Sequence, residues 1–408
     1  MRIKGTFMLN FKIKTTLTTA VVFCSFSSAV CSAEFDPAPY KMESGLTLTP
    51  VLETSVGYDD NVANSNVDEI DSMYTEIAPH AVLAGGSDIS NASLKYGFDK
   101  AWYFDSSDDD YFDHTVLAKL HHEFTAKYRV DVTGGYQRAH DARGTGISEG
   151  NEGLFDDVTE YDYYRAGATL GMGAYSSDLR FDLRSRYEKK EYSNFRDVTK
   201  YRDYDSIEVG ATTYWSVMPK TDLTFDVSYE DIEYDTLDLS AISRDSEVLT
   251  ALMGLKWDIT GKTDGRARIG WQNKDFEDGD RENFDDVSWD VELSWQPKAH
   301  TVFTFVTGRD SKDPDTFGDY IKQTNVEGIW QHKWLERLSS ELSVRYVDES
   351  YTGVDRDDEY WEAAIGAVYD FRRWLRFKAE YVWSDKDSNV DEVTYNKNLF
   401  LVSVQASL

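Results

Sequence analysis

Val287-Ser288-Trp289-Asp290-Val291-Glu292-Leu293-Ser294-Trp295 puts a large apolar side chain at every odd position and a polar or charged one at every even position. A period of two is the strand period, because successive side chains of a strand point to opposite faces. Here one face carries Val, Trp and Leu and the other Ser, Asp and Glu. The same division recurs in Leu179, Phe181, Leu183; Val209, Ala211, Trp215; Leu223, Phe225, Val227; Ala251, Met253, Leu255, Trp257; Ile365, Ala367, Tyr369, Phe371; and Phe377, Ala379, Tyr381, Trp383. A soluble sheet buries its apolar face on another layer. A chain in which nearly every strand has one apolar face and one charged face reads instead as a barrel with lipid outside and water inside.

The connections alternate in length. Gly85-Gly86-Ser87-Asp88, Thr125-Ala126-Lys127, Met218-Pro219-Lys220-Thr221, Thr260-Gly261-Lys262-Thr263 and Pro297-Lys298-Ala299-His300 read as tight turns, with the Gly, Pro and small polar residues that such turns use. The repeated Trp334-Leu335-Glu336-Arg337 and Trp374-Leu375-Arg376-Phe377 look like two more. Residues 61–72, 105–113, 141–157, 193–205, 277–286, 310–319, 355–358 and 387–391 read as longer acidic loops. Short turns at one end and long loops at the other distinguish the periplasmic and extracellular ends of an outer-membrane barrel. The expectation is an all-β, antiparallel, up-and-down transmembrane barrel of about 18 strands over residues 46–408. Tyr58, Phe98, Tyr136, Tyr187, Tyr229, Trp271, Tyr346 and Tyr381 recur near the tops of upward strands, where aromatic side chains belong at the lipid headgroups. A soluble propeller or sandwich would need a blade signature or polar edge faces, and it leaves the alternation of loop lengths unexplained.

The rest of the composition agrees. The chain has 408 residues, 43 basic and 74 acidic, for a formal charge of −31. That balance argues against nucleic acid and against docking on anionic headgroups. Its 14% aromatic content is too rich for an acidic disordered chain. Residues 1–33 read as a secretory signal: basic from Met1 to Lys14, apolar or small from Thr15 to Val30, then Cys31-Ser32-Ala33 as a small-residue cleavage site. Cys31 is also a candidate lipidation site, although Val30 is large for the preceding position. The four basic residues of 1–33 leave 39 − 74 = −35 for the remainder. Both cysteines fall within 1–33, so cleavage after Ala33 leaves no disulfide, thiol nucleophile or cysteine metal site. Residues 34–45 read as a short periplasmic lead-in.

The polar faces supply the candidate site. Arg165, Arg180, Asp182, Arg184, Arg186, Asp226, Glu230, Arg266, Arg268, Asp290, Glu292, Arg345 and Glu362 are the expected lumen residues, with Lys378 and Glu380 beside them. Charges of both signs on a pore wall select and orient hydrophilic solutes. They also cross-link neighbouring strands, a purely structural role. Among the loops, 141–157, with Gly144, Gly146, Gly150 and Gly153, is the one expected to fold inward. The acidic loops read as a solvated rim that divalent cations bridge to lipopolysaccharide, without calcium-loop spacing; Asp313-Pro314-Asp315-Thr316-Phe317-Gly318 fails at its fifth position. No cofactor or metal is expected, and no enzyme: His121 and His122 point to opposite faces, and His140-Asp141 is a single acid/His dipeptide.

Thr49-Pro50-Val51-Leu52-Glu53-Thr54-Ser55-Val56-Gly57-Tyr58-Asp59-Asp60-Asn61-Val62, followed by a proline in the second strand at Ile77-Ala78-Pro79, resembles the opening of the beta-barrel porin type 2 family. The layout matches over nearly the whole chain; the specific residues are Gly57, Tyr58, Asp59, Asp60 and Asn61. The resemblance implies an outer-membrane barrel, often encoded beside exopolysaccharide or capsule synthesis and export functions, and it implies no catalytic residue. On the residues themselves, Tyr58 anchors the strand top, and Asp59, Asp60 and Asn61 are expected to form a side-chain-to-backbone turn closing the first hairpin. One departure is the last residue: outer-membrane barrels commonly end in an aromatic that the barrel-assembly machinery reads, whereas this chain ends in Leu408. The expected function is a porin-like conduit in the outer membrane, among lipids and lipopolysaccharide, associated with polysaccharide and periplasmic export components. A non-conducting anchoring barrel and a general cation-preferring diffusion porin are the alternatives.

Overall fold

The computed structural model describes residues 39–258 and 262–407, without the side chain of Glu152. The expected signal at 1–33, the Thr260-Gly261 part of one turn and Leu408 lie outside the described residues. A two-residue strand, β1 (Tyr40–Lys41), folds back on the start of the next strand, pairing Tyr40 with Leu48. The wall follows as β2 (Thr47–Asp59), β3 (Ser72–Ser87), β4 (Ser90–Tyr103), β5 (Tyr111–Thr125), β6 (Tyr128–Asp141), β7 (Thr159–Met172), β8 (Leu179–Tyr192), β9 (Tyr204–Met218) and β10 (Thr221–Tyr234). It continues as β11 (Ser246–Asp258), β12 (Thr263–Phe276), β13 (Phe284–Lys298), β14 (Thr301–Lys312), β15 (Ile321–Leu335), β16 (Leu338–Tyr351), β17 (Asp357–Arg372), β18 (Leu375–Ser388) and β19 (Tyr395–Ser407). Each strand pairs antiparallel with its sequence neighbours, and β19 pairs with β2 from Leu399↔Asp59 to Ser407↔Val51. The result is a closed antiparallel barrel of 18 strands, as expected. Closure leaves no unpaired edge to face lipid.

Because facing residues of antiparallel strands share a side, the register fixes every side chain's orientation. Leu183, Val227, Met253, Trp295 and Ile365 stand on the outer face and are exposed. The eight aromatics expected at the strand tops all share that outer face, where Tyr136 pairs with Tyr164, Tyr346 with Trp361 and Tyr381 with Phe400. A second aromatic band follows the short turns, including Trp215, Trp295, Trp334 and Trp374. Two girdles around an apolar belt match the profile of a bilayer.

The tight ends are mostly two-residue turns: Asp88-Ile89, Ala126-Lys127, Pro219-Lys220, Ala299-His300, Glu336-Arg337 and Arg373-Trp374. The expected turn at Trp374–Phe377 is therefore misplaced, since Leu375-Arg376-Phe377 already belongs to β18 and pairs with β19. One long connection, residues 235–245, was not foreseen. Pro79 does what a proline in a ladder must: β3–β4 pairing stops at Ile77↔Lys100 and resumes at His80↔Gly97.

Two seams are unzipped at the long-loop end. Pairing of β5 with β6 starts only at His114↔Arg138, and pairing of β13 with β14 only at Trp289↔Arg309. Beyond those points the last three residues of β6 and of β14 pair on one side only, with β7 and β15. Each leads into a loop that enters the barrel.

Candidate functional site

All thirteen expected lumen residues fall on the inner parity of the wall, linked through the register as Arg165↔Glu188, Arg186↔Glu208↔Glu230, Arg268↔Asp290, Arg266↔Glu292 and Arg345↔Glu362, with Arg180, Asp182, Arg184 and Asp226 in the same rows. Ten of them form a ladder on β8–β13. Arg184 is its hub: its guanidinium donates to Asp226 at 2.7 and 3.0 Å, to Glu208 Oε1 at 3.1 Å and to Thr212 Oγ1 at 3.0 Å. It reaches Asp226 on β10 by lying over β9. The residue it crosses is Gly210, where a Cβ would stand 2.7 Å from the guanidinium carbon. Arg268 pairs with Asp290 at 2.7 Å and approaches Asp226 at 3.5 Å. Arg266 lies 3.0 Å from Asp290 and 3.8 Å from Glu292. Arg186 bridges Glu208 at 2.5 Å and Glu188 at 3.2 Å, with Glu230 at 3.9 Å. Asp182 accepts from Arg129 at 2.6 Å, and Arg180 pairs with Asp222. Glu188, Glu208, Asp222 and Arg129 complete this ladder and were missed. Their strands alternate as cleanly as the others, so the period alone would have found them.

Arg165 and Arg345 differ. Among the described residues neither guanidinium makes an ion pair or a hydrogen bond. Lys378 is bound to Glu53 at 2.8 Å across the closing seam, while Glu380 has no hydrogen bond or ion pair among the described residues.

Two loops lie across the mouth. The loop between β6 and β7, residues 142–158, folds inward as expected. Arg143 donates to Asp109 at 2.9 Å and its carbonyl accepts from Asn64 at 3.2 Å. Farther along, Glu149 takes Arg356 at 2.8 Å and also Lys386 on β18, six strands from β6. The loop between β14 and β15, residues 313–320, was not expected to enter. Asp313 accepts from Tyr234 at 3.1 Å and pairs with Lys274; the Pro314 carbonyl accepts from Arg244 at 2.9 Å and that of Asp315 from Arg202 at 2.7 Å. Burial alone would raise the Asp313 carboxyl, but Lys274 and Arg244 hold it below the usual carboxylate range. Asp315 has no such clamp on its side chain, and burial pushes its carboxyl up. Arg202, buried beside Arg244, is brought down to about 10.

These contacts correct the expectation of a merely solvated acidic rim. Asp109, Asp203, Asp238, Asp319 and Asp358 are ion-paired to Arg143, Arg196, Arg281, Arg281 and Arg356, because the loops carry their own arginines. His140-Asp141 does not form an acid/His pair either. His140 Nδ1 faces Asp113 at 3.0 Å, and Asp141 accepts from Tyr192 at 2.8 Å.

The residues of the opening motif are placed more widely than a hairpin turn. Asn61 N–H donates to Asp59 Oδ1 at 3.0 Å, the expected local turn. The other bonds reach the last strand: Asn61 Nδ2 to the Asn396 carbonyl at 3.0 Å, Lys397 to Asp59 at 2.8 Å, and Asn398 Nδ2 to Asp60 at 2.8 Å. The motif fastens β2 to β19 and so closes the barrel rather than its first hairpin. Tyr58 donates to Asp71 at 3.2 Å, and Gly57 gives the Tyr74 ring its place.

Under the first loop and against β15–β19 lies a cavity of about 110 Å³, roofed by Thr145, Gly146 and Glu149. Its wall includes Arg345, Glu362 and Glu380 together with Val347, Val382, Leu399 and Leu401.

Solved structures share this architecture. OpdK of Pseudomonas aeruginosa, crystallised with vanillate, is 11% identical, with 88% of this chain and 99% of that chain covered at a TM-score of 0.51. The siderophore receptor PiuA of Acinetobacter baumannii is 12% identical, with 88% and 82% covered at a TM-score of 0.50. Such likenesses show the fold alone. No curated protein matches the chain. The family model described as Putative beta-barrel porin 2 matches residues 43–408, so the chain belongs to that family, as a porin-like outer-membrane β-barrel.

Proposed function

We propose that the protein is a gated conduit for hydrophilic solutes, placed in the outer membrane of a Gram-negative cell after signal-directed export and serving the secretion of an extracellular polysaccharide. The observation that carries the conduit is the ladder around Arg184, Asp226, Arg268 and Asp290, which faces a lumen that wall side chains of an 18-strand barrel are too short to fill. A ladder of alternating donors and acceptors suits a polyol, which can move past it by exchanging hydrogen bonds without a single tight site. The tie to polysaccharide rests on the family resemblance, as do its periplasmic export partners. Lipopolysaccharide and the assembly machinery are the partners that a barrel in that membrane requires.

A second reading, a non-conducting anchoring barrel, is favoured by the two loops fastened across the mouth. Single-channel recording of the refolded protein in a planar bilayer separates the two. Steady or flickering steps, with selectivity altered by Arg184→Ala, support the conduit. Silence from folded protein, persisting when the loops are released, supports the anchor. Large, unblocked, cation-selective steps indifferent to sugars would instead indicate a general diffusion porin.

A further inference from the structure

The cavity beneath the first loop interrupts the polar lumen with an apolar shelf. In the register, Ala364, Val382 and Leu399 form one row across β17, β18 and β19. The row above holds Glu362, paired across to Arg345; the row below holds Glu380 beside Leu401. Inward aliphatic side chains in a water-filled barrel have no lipid to face, and neither inward loop covers these, since the cavity lies between them and the loop.

The polar groups at the two ends of the cavity are in different states. Near the roof, Glu149, Lys386, Arg356, Asp358, Lys312 and Glu349 satisfy one another. Beside the shelf, Arg345 and Glu380 have no hydrogen bond or ion pair among the described residues, and Glu362 accepts only from its neighbour Tyr360 at 2.8 Å. A guanidinium only donates and a carboxylate only accepts. The shelf therefore offers an apolar floor with a donor and two acceptors around it.

Resting on the reading of the barrel as a saccharide conduit, we infer that this shelf binds one ring of a neutral sugar. A pyranose has an apolar C–H face and a rim of hydroxyls that each donate and accept, the complement of this arrangement. The charges select against the alternatives. The cavity wall carries six carboxyl residues (Glu149, Asp315, Glu349, Asp358, Glu362, Glu380) against four basic ones (Lys312, Arg345, Lys386, Lys397), which opposes an anionic sugar. Arg345 at the shelf opposes a cation. The shelf faces the ladder across the lumen, so a chain of sugars held here by one ring keeps its other hydroxyls toward the arginines.

The test is isothermal titration of the detergent-folded full chain with maltotriose, cellotriose and mannotriose, with trigalacturonate as the anionic probe. At least one neutral trisaccharide binds saturably. Its dissociation constant rises about tenfold in Arg345→Met and in Glu380→Leu, the loss of a charge-assisted hydrogen bond, and binding disappears in Val382→Asp. Heat-modifiable migration on gels shows that each variant is folded. Absence of binding by all three neutral sugars, binding unchanged in both Arg345→Met and Glu380→Leu, or tighter binding of trigalacturonate overturns the subsite. Conductance is read separately. A silent barrel that still binds maltotriose retains the subsite and loses the conduit, and a conducting barrel that binds none does the reverse.

Discussion

Replacing Glu149 by alanine should open the barrel. Glu149 is the far anchor of the loop between β6 and β7, taking Arg356 at 2.8 Å and Lys386 through its two carboxylate oxygens. The three side chains are 11%, 8% and 5% exposed, so solvent screens the contacts little. Removing one partner of a buried pair is costly mainly when the other charge is orphaned. Here it is not: Arg356 keeps Asp358 at 2.9 Å and Lys386 keeps Asp358 at 3.0 Å. The loss is then two charge-assisted hydrogen bonds less the desolvation that Glu149 no longer bears, about 2–3 kcal/mol. At about 1.4 kcal/mol per factor of ten, the ratio of docked to released loop falls roughly 30- to 150-fold. Single-channel recording should show a wild-type barrel that is mostly closed and a variant open for a much larger fraction of the time. Glu149→Gln, which keeps an acceptor for Arg356, should fall between them. Equal open fractions in wild type and Glu149→Ala would refute the idea that this contact holds the loop.

Within the ladder, Arg184→Ala and Arg268→Ala should change the reversal potential measured in a salt gradient, because each removes a cation beside Asp226. Leu183→Ala, on the lipid face one residue away, should leave selectivity unchanged and lower stability by on the order of 1 kcal/mol; unchanged selectivity in both arginine variants would overturn their place on the pore wall. Closure of the barrel depends on Asn61, which is fully buried and whose side chain bonds Ser65 twice and the Asn396 carbonyl once. Asn61→Ala leaves those groups unpaired and should cost roughly 2–4 kcal/mol, read from urea unfolding in lipid vesicles. Acidification should act through Asp315. Its carboxyl is raised in the docked loop, so its contribution to docking is complete below the released value near 3.8 and is lost as pH rises through the raised one. Open fraction should therefore fall as pH drops through the raised value toward the released one, and Asp315→Asn should flatten that change. Asp313 has the opposite sign: it is depressed, so its support for docking is lost only in stronger acid, as pH falls through its lowered value.

Strand content and facing were legible because a period of two carries both at once. From Val287–Trp295 the inner position of Asp290 follows without knowing its partner. What the period does not carry is which strand supplies that partner. Arg184 and Asp226 lie 42 residues apart and meet only because Gly210 leaves the intervening strand bare. The connection at 235–245 escaped notice because Leu237 and Leu239 continue the zigzag beyond the end of β10, although both are exposed. Trp374-Leu375-Arg376-Phe377 was misread for the converse reason. Its likeness to Trp334–Arg337 is real in composition, but the turn at 373–374 precedes its Leu whereas the turn at 336–337 follows the other Trp-Leu pair, a shift of three residues that only cross-strand pairing with Ala406 and Gln405 reveals.

The same limit explains why the second inward loop was missed. An inward loop is not announced by its own composition so much as by what its entering strand gives up. β6 and β14 each forgo pairing with the preceding strand over their last three residues while keeping it with the following one, and exposed ladder groups are costly unless something replaces the missing partner. At the first seam, His140 stacks on Tyr111 with centroids 4.1 Å apart and meets Asp113. At the second, Arg309 and Lys322 converge on Asp286 at 2.8 and 3.5 Å, and the Ser311 amide takes the Gln272 side chain at 2.8 Å. Side chains from β5 and β6 at the first seam, and from β12 to β15 at the second, replace hydrogen bonds that a straight barrel obtains from its backbone. The inward course of both loops is therefore built into the wall beneath them as well as into their contacts across the mouth. Releasing Glu149 alone should free the far end of the first loop while its root, held at the β5–β6 seam, stays inside the barrel.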